Sequence, residues 1–238
     1  MSNKKTAIVT GASRGIGAGL VEAFLREGYN VVATALNAKK SLTETLSLVL
    51  VDGDIGKKET AAKAVEAAIE HFGTIDILVN NAGIFYAKPF TEFTTEDFNS
   101  LASTNLLGFI YITQLTVKQM LKQKSGCVLT ITAALADLPI AGVNASVSMI
   151  TKGGLNAGTR SLAIEYAKEG IRFNAVAPGV VDTPLHKNDP RDSLKTLQPM
   201  GKMASIGDIA DAVLYLARAE QVTGEVLHVD GGAHAGRW

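Results

Sequence analysis

Short runs rich in β-branched residues alternate with longer stretches of helical period along the whole of this chain, and that alternation leaves it few folds to adopt. Strands are predicted at Thr6–Thr10, Tyr29–Thr34, Leu48–Val51, Ile75–Asn80, Cys127–Thr132, Arg172–Ala177 and Glu225–Val229. Ile75-Asp76-Ile77-Leu78-Val79 and Val128-Leu129-Thr130-Ile131 lack strict polar/apolar alternation, as strands buried on both faces should. Helices are predicted at Ile16–Glu27, Lys57–Phe72, Thr95–Lys122, Ser148–Lys168 and Ile206–Ala217, with one or two turns between Leu36 and Thr45. Strands and helices taking turns in this way predict an α/β fold, a doubly wound parallel sheet of about seven strands with helices on both faces.

Gly28, Gly73 and Gly170 each stand just past a helix end, where a left-handed cap is usual. The stretch from Thr183 to Met203 carries three prolines and no clear period, and is expected to be a mobile loop acting as a substrate lid. No repeat or linker interrupts the 238 residues, so a single domain over 1–238 is expected. With 23 Lys and Arg against 23 Asp and Glu, no net field recruits nucleic acid or an anionic membrane. No apolar run approaches the ~18 residues that span a bilayer. The opening residues, Met1-Ser2-Asn3-Lys4-Lys5, lack a signal-peptide core, and a cytoplasmic protein is expected. Cys127 is the one cysteine, so neither a disulfide within the chain nor a cysteine-rich metal site is available, and no metal is expected.

The first strand runs directly into Thr10-Gly11-Ala12-Ser13-Arg14-Gly15-Ile16-Gly17, which opens a helix. Glycines there let the backbone turn tightly and approach a pyrophosphate, while the helix N-terminus offers free N–H groups and a positive dipole end. Placed between the first strand and first helix of a βαβ unit, the turn is a dinucleotide site in a Rossmann-type fold. NAD-binding versions usually place an acid near the end of the second strand for the adenosine ribose. From Gly28 through Thr43 there is no Asp or Glu, whereas Arg14, Asn37, Lys39 and Lys40 are available to a 2′-phosphate. The balance favours NADP(H), with NAD(H) left open; Lys39 and Lys40 read equally well as solvated surface cations.

Further motifs follow in order: Asn80-Asn81-Ala82-Gly83, Ser103-Thr104-Asn105-Leu106-Leu107-Gly108, Thr151-Lys152-Gly153-Gly154-Leu155, Arg172-Phe173-Asn174-Ala175-Val176-Ala177-Pro178-Gly179 and Val229-Asp230-Gly231-Gly232. With the glycine turn, they make the chain resemble the short-chain dehydrogenase/reductase family over nearly its whole length, most closely its bacterial 3-ketoacyl-carrier-protein reductase-like members. The resemblance implies an oxidoreductase acting on a small carbonyl or alcohol, and a homotetramer built through the Thr95–Lys122 and Ser148–Lys168 helices. It also implies roles. Gly11, Ser13, Arg14, Gly15, Ile16 and Gly17 would cradle the cofactor phosphates, and Asp54 and Ile55 would meet the adenine. Asn81, Ala82 and Gly83 would line the cofactor, Asn105 would hold a water in a proton relay, and Lys152 would bind the nicotinamide ribose. Beyond Pro178 and Gly179, Val181 and Thr183 would fix the carboxamide.

The family's chemistry rests on a Tyr four residues before that Lys and on a Ser after the fifth strand. This chain has Ser148 and Ala133 at those places. No Tyr occurs between Tyr111 and Tyr166, and no Ser between Ser125 and Ser146, so a shifted alignment does not restore either. Tyr166 is expected to pack rather than react. Thr132, one place early, would supply a hydroxyl if the strand end bulges. Ser148 is a poor acid with a short reach, though a water beside it could bridge to Lys152. Tyr86, His186 and His234 are other acids to weigh, each reading better as pocket lining or surface; Asn144 and Ser146 share that cleft, and His71 and His228 read as structural. Two functions therefore stand: an NADP(H)-dependent carbonyl reductase or alcohol dehydrogenase with an altered centre, and a dinucleotide-binding protein without turnover. The Arg237-Trp238 ending is expected at a subunit boundary.

Overall fold

A computed structural model of the protein describes residues 4–236, so the expectation for Arg237-Trp238 lies outside the described residues. Seven strands form one sheet: β1 (Thr6–Thr10), β2 (Asn30–Ala35), β3 (Leu48–Asp52), β4 (Ile77–Asn80), β5 (Gly126–Ile131), β6 (Ile171–Pro178) and β7 (Val226–Val229). Their order is β3-β2-β1-β4-β5-β6-β7, and every neighbouring pair is parallel. Sequence and spatial order part company between β1 and β4. The carboxyl ends of these two strands open the crevice where such sheets take their ligands.

The helices are α1 (Gly15–Arg26), α2 (Ala38–Ser41), α3 (Lys58–Phe72), α4 (Thr95–Leu101), α5 (Gly108–Gln123), α6 (Ser146–Tyr166), α7 (Arg191–Lys195) and α8 (Ile206–Arg218). On one face Leu20 and Phe24 of α1 meet Ile209 and Val213 of α8 over β1 and β5. On the other, Ala64 of α3 and Ile112 and Met120 of α5 cover Ile8, Leu78 and Phe173. All five residues of β1 are buried, which is why its sequence runs apolar without alternation. Gly28, Gly73 and Gly170 take left-handed φ values of 83°, 76° and 73°, as their positions predicted. Tyr166 packs against Phe173, ring centres 5.8 Å apart. Cys127 is buried, and burial pushes its thiol up to about 11. Among the described residues no helix is long and apolar enough to cross a membrane, and no cluster of His, Cys, Asp and Glu could hold a metal ion.

Two expectations need correction. The predicted helix Thr95–Lys122 is unbroken but not uniformly α-helical, because a π-helical stretch, Ala102–Leu107, joins α4 to α5. Thr94 opens α4 with a reciprocal cap to Asp97, as the apolar period alone could not reveal. The wider turn contains Asn105, buried and pinned to the Ile84 backbone; such insertions collect at functional sites. The second correction concerns residues 183–203. They are not an irregular loop throughout, for they contain a turn of 3-10 helix at Pro184–His186, then α7, then a return arm on which Gln198 is buried. A parallel bridge between Val181 and Ala204 closes the segment at its base.

Candidate active site

β1 delivers the glycine turn to the crevice. Gly11 and Gly15 have φ of 66° and 56°, left-handed values that other residues rarely adopt. Thr10 and Asn81 lock the turn to the start of the next segment. Thr10 Oγ1 accepts the Asn81 and Ala82 N–H groups, each at 3.0 Å, while Asn81 Nδ2 donates to the carbonyls of Thr10 (2.8 Å) and Gly11 (3.3 Å). Gly17 is where α1 crosses this turn, and a methyl group there would fall 2.2 Å from Gly11 O. No side chain caps α1 and no acid stands in its first turn, so its amino end faces the crevice with its donors available. These features fit a dinucleotide pyrophosphate.

The residues that the resemblance assigns to the adenosine end lie where β2 and β3 stop. Arg14 is exposed at the start of α1, and Asn37, Lys39 and Lys40 are exposed around α2. Ile55 is buried against Gly108, and Asp54 Oδ1 accepts the Gly56 N–H at 2.9 Å, shaping the turn after β3. Sequence reasoning missed Asp52. It ends β3 in register with Ala35, the last residue of β2, and its Oδ1 accepts the Lys39 N–H at 3.0 Å. An acid does therefore stand beside the end of the second strand, supplied by the neighbouring strand, and only strand register could have revealed it.

At the other end, Asn105, Lys152 and Gly83 come together. A methyl group at Gly83 would lie 3.1 Å from Lys152 Nζ and 3.3 Å from Asn105 Oδ1. Asn105 Oδ1 accepts the Ile84 N–H at 2.9 Å, and its Nδ2 donates to Ile84 O (3.1 Å) and Thr151 Oγ1 (2.9 Å). Both amide donors are thus engaged, and a further partner would find only an oxygen lone pair. Lys152 Nζ donates to Ile131 O at 2.8 Å, at the end of β5. Burial draws its ammonium from the usual 10.5 down to about 8. The unfolded chain would hold that proton up to pH 10.5 and the folded chain only to about 8, so stability from this group rises as pH climbs through that window. Relative to Lys152→Met, the parent protein is expected to gain melting temperature between pH 8 and 10.5; a constant difference across that range would contradict the burial of the ammonium.

The hydroxyls expected near the reacting atoms are turned elsewhere. Ser148 Oγ donates to Tyr86 O (2.8 Å) and accepts the Tyr86 N–H (2.9 Å), so this buried side chain clamps the 81–94 loop onto α6. β5 ends without a bulge: Thr132 N donates to Val176 O in the ladder (2.8 Å), and Thr132 Oγ1 turns to the same carbonyl (3.3 Å). The bulge that would have freed that hydroxyl is absent because the β6 partner continues past it. His186 pairs with Asp189 at 2.7 Å, while His234 binds Asp230 and stacks on His228 at 4.1 Å. His228 in turn meets Asp137 (3.1 Å), and Asn144 O accepts the Lys88 N–H. Pro178 ends β6 and Gly179 N donates to Val229 O. Val181 is buried beyond them, and a methyl group at Gly15 would sit 3.6 Å from Thr183 Cβ, so the glycine turn and the Thr183 segment face each other.

Strand order, crevice and glycine turn together define a dinucleotide-binding α/β protein. A sequence profile described as enoyl-(acyl carrier protein) reductase matches residues 11–234. The chain is 35% identical to a 3beta-hydroxysteroid dehydrogenase of Eggerthella lenta, covering 96% of this chain and 93% of that protein. It is 34% identical to the 3-oxoacyl-acyl-carrier-protein reductase of Salmonella typhimurium, covering 97% of each. Among solved structures, the 3-ketoacyl-acyl-carrier-protein reductase of Brucella melitensis complexed with NADH superposes with a TM-score of 0.92 at 31% identity, over 98% of this chain and all of that one. ElxO with NADP bound gives 0.90 at 28%, over the same shares. The chain belongs to the short-chain dehydrogenase/reductase family.

Proposed function

We propose that the protein is an NADP(H)-dependent oxidoreductase working on a small-molecule carbonyl/alcohol pair, with a catalytic centre altered from the family pattern. The observation that carries this is the convergence of the locked glycine turn, Thr183 and the Lys152–Gly83–Asn105 group on one crevice. Bound there, the nicotinamide would supply or accept the hydride. Gly11, Ser13, Arg14, Gly15, Ile16 and Gly17 would take the phosphates, Asp54 and Ile55 the adenine, and Lys152 the nicotinamide ribose. Pro178, Gly179, Val181 and Thr183 would hold the carboxamide. Solved relatives include one with NADH and one with NADP, so cofactor choice is argued from this chain's own charges. Arg14, Lys39 and Lys40 set three cations at the adenosine end against two carboxylates, Asp52, which already accepts from the Lys39 backbone, and Asp54, which accepts the Gly56 N–H. Residues 183–203 would close over the substrate, presenting the exposed apolar Leu185 and Met200. A homotetramer is supported by the exposed Ile110 on α5 and Ile150 on α6.

A second reading, a binding protein without turnover, draws support from Ser148, whose hydroxyl is engaged by the Tyr86 backbone, and from Ala133. Quenching titrations and a broad carbonyl panel with NADPH separate the two. The parent protein is expected to bind NADPH at least ~10-fold more tightly than NADH, and to oxidise it slowly with one or more carbonyls, an activity that Lys152→Ala removes. Tight NADPH binding with no turnover would move the assignment to the second reading, and equal dissociation constants would remove the NADP preference.

A further inference from the structure

One buried side chain outside the dinucleotide site ties three segments of the chain together. Gln198, on the return arm of residues 183–203, is 2% exposed. Its Nε2 donates to Val180 O (3.1 Å) and to Lys202 O (2.9 Å). Two carbonyl partners fix the orientation of the amide, since the reversed group would set oxygen against oxygen twice. Oε1 is therefore turned the other way, and it has no hydrogen-bond partner among the described residues. It lies against backbone: a methyl group at Gly179 would fall 2.5 Å from Oε1 and 2.8 Å from Asp230 Cα.

Main-chain bonds lace the same three segments. Ala204 N donates to Val180 O, Asp182 N to Ala204 O, Met200 N to Gly231 O and Gly179 N to Val229 O. Residues 178–182 are thus held between the return arm and the Asp230–Gly231 turn, with the Gln198 amide at the junction. A buried amide oxygen without a partner is destabilising, a cost that a leucine of similar size would avoid. The amide is a poor choice for packing alone. It is a good one for fixing the distance between Val180 and Lys202, because it donates to both.

We propose that Gln198 is a positioning residue for the nicotinamide end of the cofactor, clamping the 178–183 segment so that Val181 and Thr183 meet the carboxamide. This rests on the assignment of that segment made above. Gln198 itself touches neither cofactor nor substrate, and it acts through Val180.

The test compares NADPH with 2′,5′-ADP, which contains the adenosine half alone, on the parent protein and on Gln198→Leu. Expected is an unchanged dissociation constant for 2′,5′-ADP, about tenfold weaker NADPH binding, and a smaller change in nicotinamide fluorescence on binding. A merely structural loss would weaken both ligands together. Should the leucine variant not fold, Gln198→Met follows a similar path without the amide donors and carries the same comparison. Equal weakening of both ligands, or no weakening of either, overturns the role of Gln198 while leaving the site assignment intact. If the parent protein binds 2′,5′-ADP but gains neither affinity nor a fluorescence change from the nicotinamide half, the assignment of residues 178–183 falls and this role falls with it.

Discussion

Replacing Gly17 with alanine is expected to weaken NADPH binding by at least ~100-fold while the sheet stays folded. The added methyl would meet Gly11 O at 2.2 Å, Gly11 C at 2.8 Å and Asn81 Nδ2 at 2.6 Å. Two of these atoms are backbone, so no rotamer change relieves the contact. Either α1 moves away from the turn or the turn gives up its bonds to Asn81, and both outcomes displace the N–H groups offered to the pyrophosphate. Overpacking of this kind costs about 1–3 kcal/mol, so thermal melting should fall modestly while affinity falls steeply. Gly153, next to Lys152 on α6, is the matched control. Nothing lies within 4 Å of a methyl group there, and alanine in a helix interior stabilises by about 0.5–1 kcal/mol. NADPH fluorescence titration of the two variants decides the matter; a Gly17→Ala protein binding as tightly as Gly153→Ala would mean that the cofactor lies elsewhere.

Ser148→Tyr is expected to raise the turnover number by ~10²–10⁴-fold. The phenol would stand one helical turn from Lys152, whose ammonium favours the tyrosinate and draws its pKa below ~10. The gain comes with a structural cost, because the substitution strips the Tyr86 N–H and carbonyl of their shared partner. That loss is worth about 1–3 kcal/mol, so the faster variant should also melt earlier and loosen the 81–94 loop. Steady-state assays with NADPH across pH give the signature: reduction by the variant falls as the new tyrosine ionises, a limb added to whatever pH dependence Lys152 gives both proteins. If turnover drops or stays level while NADPH still binds, the proton is delivered from somewhere other than position 148.

The strands and most helices were legible because burial on both faces and helical period are local signals. The glycine turn was legible because each glycine answers a steric demand that sequence position makes visible. What escaped was set by contacts between distant segments. The π-helical insertion at Ala102–Leu107 changes the register of a helix whose apolar period continues across it, and it holds Asn105 where its amide meets the distant Ile84 backbone. Asp52 reaches the end of the second strand from the third, through pairing that no single-strand reading contains. The engagement of Ser148 with the Tyr86 backbone spans 62 residues; a serine four places before Lys152 was readable, while the task of its hydroxyl was not. Gln198 sat unremarked among prolines and charges, since a polar residue in an aperiodic stretch reads as solvated until its burial is seen.

The burial of Cys127 makes the chain behave toward maleimides almost as a cysteine-free protein. Its one thiol is held in the core and stays protonated at neutral pH. A cysteine placed at the exposed Leu185 position would be the sole site to take a fluorophore. Any movement of residues 183–203 can therefore be followed with a single substitution and no prior removal of native thiols.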